Sequence, residues 1–157
     1  MKVKSFFALA ALSVALVSCG TKEVPVSEQL VGQWTGMDAI TVTVLDSTGA
    51  PVTQTMEAPV EFEYLADSTF TAIVMVNDST NVTLGAVATV ADALVNFTGT
   101  MNCAQTLEVS GNIVLQGADT LVINYTGVNT EAGITHEGKA LVVRKAKTEN
   151  VEAAPAQ

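Results

Sequence analysis

The sequence predicts an all-β domain, an antiparallel up-and-down β-barrel of about eight strands, with a β-sandwich as the alternative. Apolar and polar residues alternate with a period of two in several runs, which is the pattern of half-buried strands. Polar clusters that favour tight turns separate these runs. No long helical pattern lies between them, which argues against a parallel α/β fold. Short strands joined by regular turns are typical of antiparallel barrels and sandwiches.

The predicted strands follow one another along most of the chain. The clearest alternation sets Val60, Phe62 and Tyr64 against Glu61 and Glu63. Residues 72–76 are apolar at every position, which indicates a strand covered on both faces or facing a partner. Residues 84–94 fit either a pair of strands or a short helix. The other alternating apolar residues are Ile40, Val42, Val44, Leu107, Val109, Ile113, Leu115, Leu121, Ile123, Tyr125, Leu141 and Val143.

The first 18 residues have the proportions of a signal peptide. Lys2 and Lys4 precede an apolar run over residues 6–17, which is too short for a membrane-spanning helix. Cys19 follows small residues, and this ending resembles the lipoprotein box of bacteria. The resemblance implies cleavage before Cys19 and its lipidation, with palmitate among the acyl chains, and hence anchoring in the bacterial outer membrane. It leaves periplasmic or surface-facing orientation open, and an ordinary secretory signal is the alternative.

The rest of the chain divides into three parts. Residues 19–29 contain Pro25 and no apolar periodicity, so they are predicted to form a lipidated tether. Residues 30–146 are expected to form the barrel. Residues 147–157 are predicted to be a flexible tail, as is common at chain ends.

The charge and the cysteines exclude several classes of protein. The chain has 7 Lys and Arg against 16 Asp and Glu, a net charge of −9. Loss of Lys2 and Lys4 with the leader brings the mature chain to −11. Nucleic acids are bound mainly through Lys and Arg, so no nucleic-acid partner is expected. Lipidation of Cys19 leaves Cys103 as the remaining thiol, which excludes an intramolecular disulfide. Cys103 is predicted to be buried and inert, with pairing between two chains as the alternative.

The motif with the most structural content is Gly32-Gln33-Trp34, which opens the first predicted strand. With Arg144 in the last predicted strand, it resembles lipocalins and the wider calycin group, nearest to lipocalin-like lipoproteins of Bacteroidetes, over residues 29–145. The resemblance implies that Gly32, Trp34 and Arg144 close one end of the barrel, with the guanidinium stacked on the indole. The alternative is a core tryptophan and a solvated arginine.

Two functions without catalysis follow from this resemblance and from the strand pattern. A lipocalin-like barrel has room for about one small apolar or amphipathic ligand. The alternative is a structural or interaction lipoprotein with a filled core that docks another envelope protein, which the doubly apolar residues 73–76 favour. The candidate ligand-lining residues are Val42, Phe62, Tyr64, Phe97, Ile113 and Ile123.

Catalytic, metal and cofactor sites are not predicted. One histidine and one thiol cannot form a zinc cluster, and no loop has calcium-binding spacing, although a loose site at Asp46, Asp67 or Asp78 stays open. There is no nucleophile-elbow motif. His136 is expected in a solvated loop or turn before the last strand. Glu61 and Glu63 are expected to be exposed on one strand face rather than paired across a cleft.

Four Asp-Ser or Asp-Thr pairs in predicted turns resemble O-glycosylation acceptors of Bacteroidetes. Aspartate followed by serine or threonine is also an ordinary turn former, and the sequence does not choose between the two. Glycosylation predicts an intact mass above that of the lipidated sequence. The candidate acceptors are Ser47, Ser68, Ser79 and Thr120.

Overall fold

The computed structural model describes residues 23–91 and 94–146, which form a short helix and a closed antiparallel barrel of eight strands. Each strand pairs with its neighbours in sequence, and β1 pairs with β8 to close the barrel. The predicted barrel is confirmed. The elements are α1 (Val26–Leu30), β1 (Gly32–Leu45), β2 (Pro51–Tyr64), β3 (Thr69–Asn77), β4 (Thr80–Ala91), β5 (Leu94–Asn102), β6 (Thr106–Leu115), β7 (Thr120–Asn129) and β8 (Ile134–Arg144).

Period-two alternation places one face of every strand in a single apolar core. In β2 the even-numbered residues from Ala58 to Tyr64 are buried, whereas Glu61 and Glu63 are exposed as predicted. Phe62 and Phe97 both contact the ring of Phe70, which joins the aromatic residues of β2, β3 and β5. Such interlocking rings fill a barrel interior efficiently.

In β8 the inward and outward faces are the reverse of those that its branched apolar residues suggest. Leu141 and Val143 lie on the outside of the barrel, and Val142 between them is completely buried. The residues flanking Val142 on the inner face are small or polar, Ala140 and Arg144, so the apolar pattern alone misassigns the face.

Both ambiguous stretches are β-structure. In β3, Ala72 and Val74 point into the core, and Ile73 and Met75 are exposed on the outer surface. The stretch at 84–94 contains the end of β4 and the beginning of β5 rather than a helix.

α1 begins within the segment predicted to be a tether, residues 19–29, and its last residue, Leu30, is fully buried against the barrel core. No helix among the described residues is long and apolar enough to cross a membrane. The predicted signal peptide, Cys19 and the tail at 147–157 lie outside the described residues.

The strands are unequal in length, and the barrel wall is consequently incomplete at one end. β1 and β2 have 14 residues each and pair along their whole length. β2 pairs with β3, however, only from Val60 to Tyr64. Among the described strands, the first half of β2 therefore has β1 on one side and no partner on the other.

Candidate functional site

The end of the barrel where β1 begins is closed by α1, Trp34 and Arg144. The Trp34 ring is buried, its indole N–H donates to the carbonyl of Leu30 at 2.9 Å, and the Arg144 guanidinium carbon lies 4.1 Å from its ring centroid. Arg144 also donates to the carbonyls of Gln29 and Val31. The final carbonyl groups of a helix have no hydrogen-bond donor within the helix, and here the side chains of Trp34 and Arg144 donate to them. The three contacts fasten α1 over this end.

Gly32 makes this arrangement possible. Its φ of +136° is a conformation that side chains rarely permit, and a Cβ atom there would lie 3.0 Å from an Arg144 guanidinium nitrogen. The three residues predicted to close the barrel therefore meet at one end, where their role is architectural.

The candidate ligand-lining residues all lie on the inner face. Phe62, Tyr64, Phe97, Ile113 and Ile123 are buried, and Val42 is half-buried against the same core. A cavity bounded by Phe62, Ile123 and their neighbours has a volume of about 20 Å³. That space is enough for roughly one water molecule. In this conformation a larger ligand would have to displace core side chains.

The interior also holds a polar cluster that connects three strands. The Tyr125 hydroxyl on β7 lies 2.6 Å from Oδ2 of Asp38 on β1 and 3.2 Å from Nε2 of His136 on β8. Asp38 and His136 are only 1% and 6% exposed. Gly138 creates the space for the tyrosine, because a Cβ atom there would lie within the phenol ring. The expectation that His136 is a solvated loop residue is wrong, because it lies on the inner face of β8.

Burial determines the protonation of this cluster. Desolvation raises the pKa of Asp38, although the hydrogen bond from Tyr125 opposes the shift. Desolvation and the adjacent Asp38 carboxylate raise the pKa of Tyr125 above its usual value, and burial lowers the pKa of His136. A neutral His136 donating from Nε2 to a tyrosine that donates to Asp38 satisfies both contacts. Within residues 23–91 and 94–146, Oδ1 of Asp38 has no hydrogen-bond partner, and Asp38 borders the small cavity.

The sequence analysis missed Asp38, although a signal was present. Counting in steps of two from the inward-facing Trp34 leads to Gly36, Asp38 and Ile40. A carboxylate at an inward position is informative, because buried acids require partners. Its partners could not be identified, since Tyr125 is 87 residues away.

The outer surface carries a continuous apolar row across four neighbouring strands. Val114 on β6 pairs with Val122 on β7, Val122 pairs with Leu141 on β8, and Leu141 pairs with Met37 on β1. We call these four residues the outer apolar row. Leu141 is 55% and Met37 47% exposed, whereas Val122 is only 9% exposed between its two neighbours. Side chains on directly opposed residues touch, so the row forms one surface.

The positive charges of the described chain lie close to this row. Residues 23–138 contain no Lys or Arg. Lys139 lies on the outer face of β8, and Lys145, just after β8, forms an ion pair with Glu61 at 3.0 Å. Both side chains of this pair are about half exposed, so its contribution to stability is small. Lys139, two residues from Leu141 on the same face of β8, thus places one cation beside the outer apolar row of an otherwise acidic barrel.

The candidate glycosylation residues lie at three hairpin turns and at one strand end. Ser47 and Ser79 are exposed, whereas Ser68 is half-buried and Thr120, already in β7, is half-buried as well. The preceding aspartates shape two of the turns: Asp46 accepts from the N–H groups of Thr48 and Ala50, and Asp67 accepts from that of Thr69. Turn formation therefore accounts for these aspartates, and glycosylation stays a prediction that an intact mass would test.

Two other predictions concern cysteine and metals. Cys103 is exposed in the hairpin between β5 and β6, so the expectation of a buried thiol is wrong. Turn residues supply little covering surface, and its sulfur lies 3.0 Å from the carbonyl of Gln105. Within residues 23–91 and 94–146, no three acidic, histidine or cysteine side chains are grouped as metal ligands.

The barrel is similar in fold to parts of solved transferrin-binding proteins. A single-site mutant of Transferrin Binding Protein B (TbpB) from Haemophilus parasuis Hp5 superposes with a TM-score of 0.51 at 10% identity, covering 77% of this chain and 29% of that one. A double mutant of the same protein gives 0.48, 12%, 77% and 28%. Isotype 1 TbpB from serogroup B Neisseria meningitidis gives 0.44, 11%, 73% and 26%.

These likenesses concern the fold alone. The chain spans less than a third of the length of the solved proteins it matches. No protein-family model matches the chain, and no curated protein is significantly similar to it.

Proposed function

We propose that this protein is a lipid-anchored β-barrel of the bacterial outer membrane that docks another envelope protein through its outer apolar row. The single observation that carries the proposal is the continuity of Val114, Val122, Leu141 and Met37 across four paired strands. A contiguous exposed apolar surface on a folded domain is typical of an interaction site. The anchor at Cys19 and kinship with lipocalin-like lipoproteins of Bacteroidetes are part of the same proposal.

The partner is a protein with an apolar patch bordered by acidic groups. Lys139 lies beside the row, and complementary charges at the rim of an interface steer association and select the partner. The exposed Leu141 and Met37 of the row would supply the desolvated contact area. The barrel of similar fold from Haemophilus parasuis belongs to a protein named for binding transferrin, which is itself a protein.

The packed interior favours docking over the carriage of a small molecule. The cavity beside Phe62 and Tyr125 holds about 20 Å³, whereas pockets for small ligands are typically some hundreds of Å³. A ligand-binding function would require rearrangement of the aromatic core. The proposal accordingly includes no catalytic activity and no cofactor.

Site-specific photo-crosslinking in the host envelope tests the docking surface. A photoreactive residue at Leu141 is expected to give one reproducible protein adduct, because this position lies at the centre of the row. The matched control is the same residue at Thr98, which is exposed on the outer face of β5. Leu141→Glu in a chain that carries the probe at Met37 is expected to abolish the adduct, since it places a charge in a desolvated contact.

Native mass spectrometry of the gently purified chain separates the alternatives. The docking proposal expects no small-molecule adduct. A stoichiometric small molecule, or equal crosslinking from Leu141 and Thr98, would contradict it.

A further inference from the structure

The barrel wall has an open backbone edge along the first half of β2. β2 pairs with β1 from Pro51 onward, but its pairing with β3 begins only at Val60. Residues 51–57 are all exposed. We call residues 52–57 the open edge. An unpaired strand edge presents a row of free N–H and C=O groups that another extended chain can complete.

The hydrogen-bond pattern identifies which backbone groups are free. The carbonyl of Ala50 accepts from Asp46 on the β1 side, whereas Leu65 donates to Thr69 on the β3 side. Because backbone direction alternates along a strand, even-numbered residues of β2 bond β1 and odd-numbered residues face the other side. The N–H groups of Thr53, Thr55 and Glu57 therefore point out of the open edge.

Two prolines limit this edge at both ends. Pro51 and Pro59 are odd-numbered, so their missing N–H groups fall on the outward side, where proline is tolerated in a strand. The residues between them are Val, Thr, Gln, Thr, Met, Glu and Ala, without a lysine or a proline to repel a partner strand. The edge therefore suits a short added strand, whose length the two prolines limit.

The charge around the open edge specifies the kind of strand that fits. Glu57 is on the edge, Asp46 is in the hairpin before it, and Asp78 is in the turn that follows β3. No Lys or Arg occurs in residues 23–138, and Lys139 on β8 is separated from Glu57 by Ala39 of β1. A second copy of this acidic chain would add like charges, whereas a basic segment would neutralise them.

We propose that the open edge binds a short, extended, basic segment of a partner protein by β-strand addition. Main-chain hydrogen bonds to Thr53, Thr55 and Glu57 hold the segment, and side chains at alternate positions give specificity. Its apolar side chains lie beside Val52 and Met56 on the inner side. Its Lys or Arg side chains lie beside Glu57 on the outer side. The inference rests on the proposed docking function and names a second surface for it.

The test is amide exchange in the full chain, solubilised in detergent, with synthetic peptides. The probe alternates lysine with valine, and its matched control alternates glutamate with valine. The lysine peptide is expected to slow exchange at Thr53, Thr55 and Glu57 about tenfold or more. The amides of Gln54 and Met56, already bonded to β1, serve as internal controls and are expected to be unchanged.

Two substitutions at one position separate backbone from side-chain effects. Thr55→Pro removes a central N–H and is expected to weaken peptide binding about tenfold or more, whereas Thr55→Val keeps the N–H and is expected to bind like the parent. If Thr55→Pro fails to fold, the parent is tested with a peptide N-methylated at its edge-facing residues. This peptide is expected not to bind.

Each other outcome overturns the inference. Unchanged exchange at the three odd-numbered amides would mean that the edge takes no strand. Equal binding of the glutamate peptide would contradict the charge argument, and a dimer with these amides already protected would assign the edge to a second copy. The crosslink from Leu141 is measured separately, so failure at the open edge can be distinguished from failure of the proposed docking function.

Discussion

The two ends of the barrel share β1 but are finished in opposite ways. At the first end, Trp34, Arg144 and α1 bury one another and join β1 to β8. At the second end, β1 remains paired with β8 as far as Val44, whereas the first half of β2 has an open edge and exposed Val52 and Met56. We infer that stability is concentrated at the closed end, where side chains from several elements pack together. At the open edge, backbone groups without partners are available for binding.

Removal of the Trp34 ring should give the largest effect, because it destroys the closed end. Trp34→Ala is expected to lower the free energy of unfolding by about 3–5 kcal/mol, through lost burial and a residual cavity. Denaturant unfolding followed by circular dichroism measures it. Trp34→Phe is the control and should lose distinctly less. A loss below about 1 kcal/mol would mean that this end is not the stable one.

Arg144 should contribute less than Trp34 but more than an ordinary surface charge. Arg144→Ala removes the stacked guanidinium and its hydrogen bonds to Gln29 and Val31, so a loss of about 2 kcal/mol is expected. Arg144→Lys keeps the charge without the planar fork and should recover only part of this loss. Full recovery by lysine would show that charge alone matters at this position.

Asp38, in the barrel interior between the two ends, should show its effect through pH. Its pKa is raised in the folded state, so the unfolded chain ionises first and the fold loses stability as pH rises from about 4 through the raised pKa. Asp38→Asn keeps an acceptor for Tyr125 and removes this loss. Relative to the parent, the variant should therefore gain stability as the pH rises from 4 to 7.

Urea titrations at several pH values would measure this difference. His136 acts in the opposite direction: its pKa is lowered by burial, so its contribution is lost as pH falls below about 6.5. His136→Gln serves as the comparison variant and should flatten that side of the profile. A pH-independent difference between Asp38→Asn and the parent would contradict a buried, desolvated carboxyl.

The smallest effect is expected at the open end. Met56→Ser changes an exposed side chain of β2 at the open edge. It should alter the free energy of unfolding by no more than about 0.5 kcal/mol. Thermal unfolding of this variant beside Trp34→Ala would measure the contrast between the ends directly. A loss comparable with that of Trp34→Ala would indicate that the hairpin is packed in solution.

The strands, their order and the residues at the closed end could be predicted from the sequence. Alternation around Phe62, turn chemistry at Asp46 and Asp67, and the resemblance at Gly32, Trp34 and Arg144 are local signals, because side chains in a strand alternate whatever surrounds them. The faces of individual residues, the contacts between distant strands and the extent of pairing depend on the tertiary structure. It placed Leu141 outside and His136 inside, since their face depends on which neighbours a strand acquires. It joined Asp38 to Tyr125 across 87 residues, filled the interior with aromatic rings, and ended β3 pairing at Val60, because barrel closure is a property of all eight strands together.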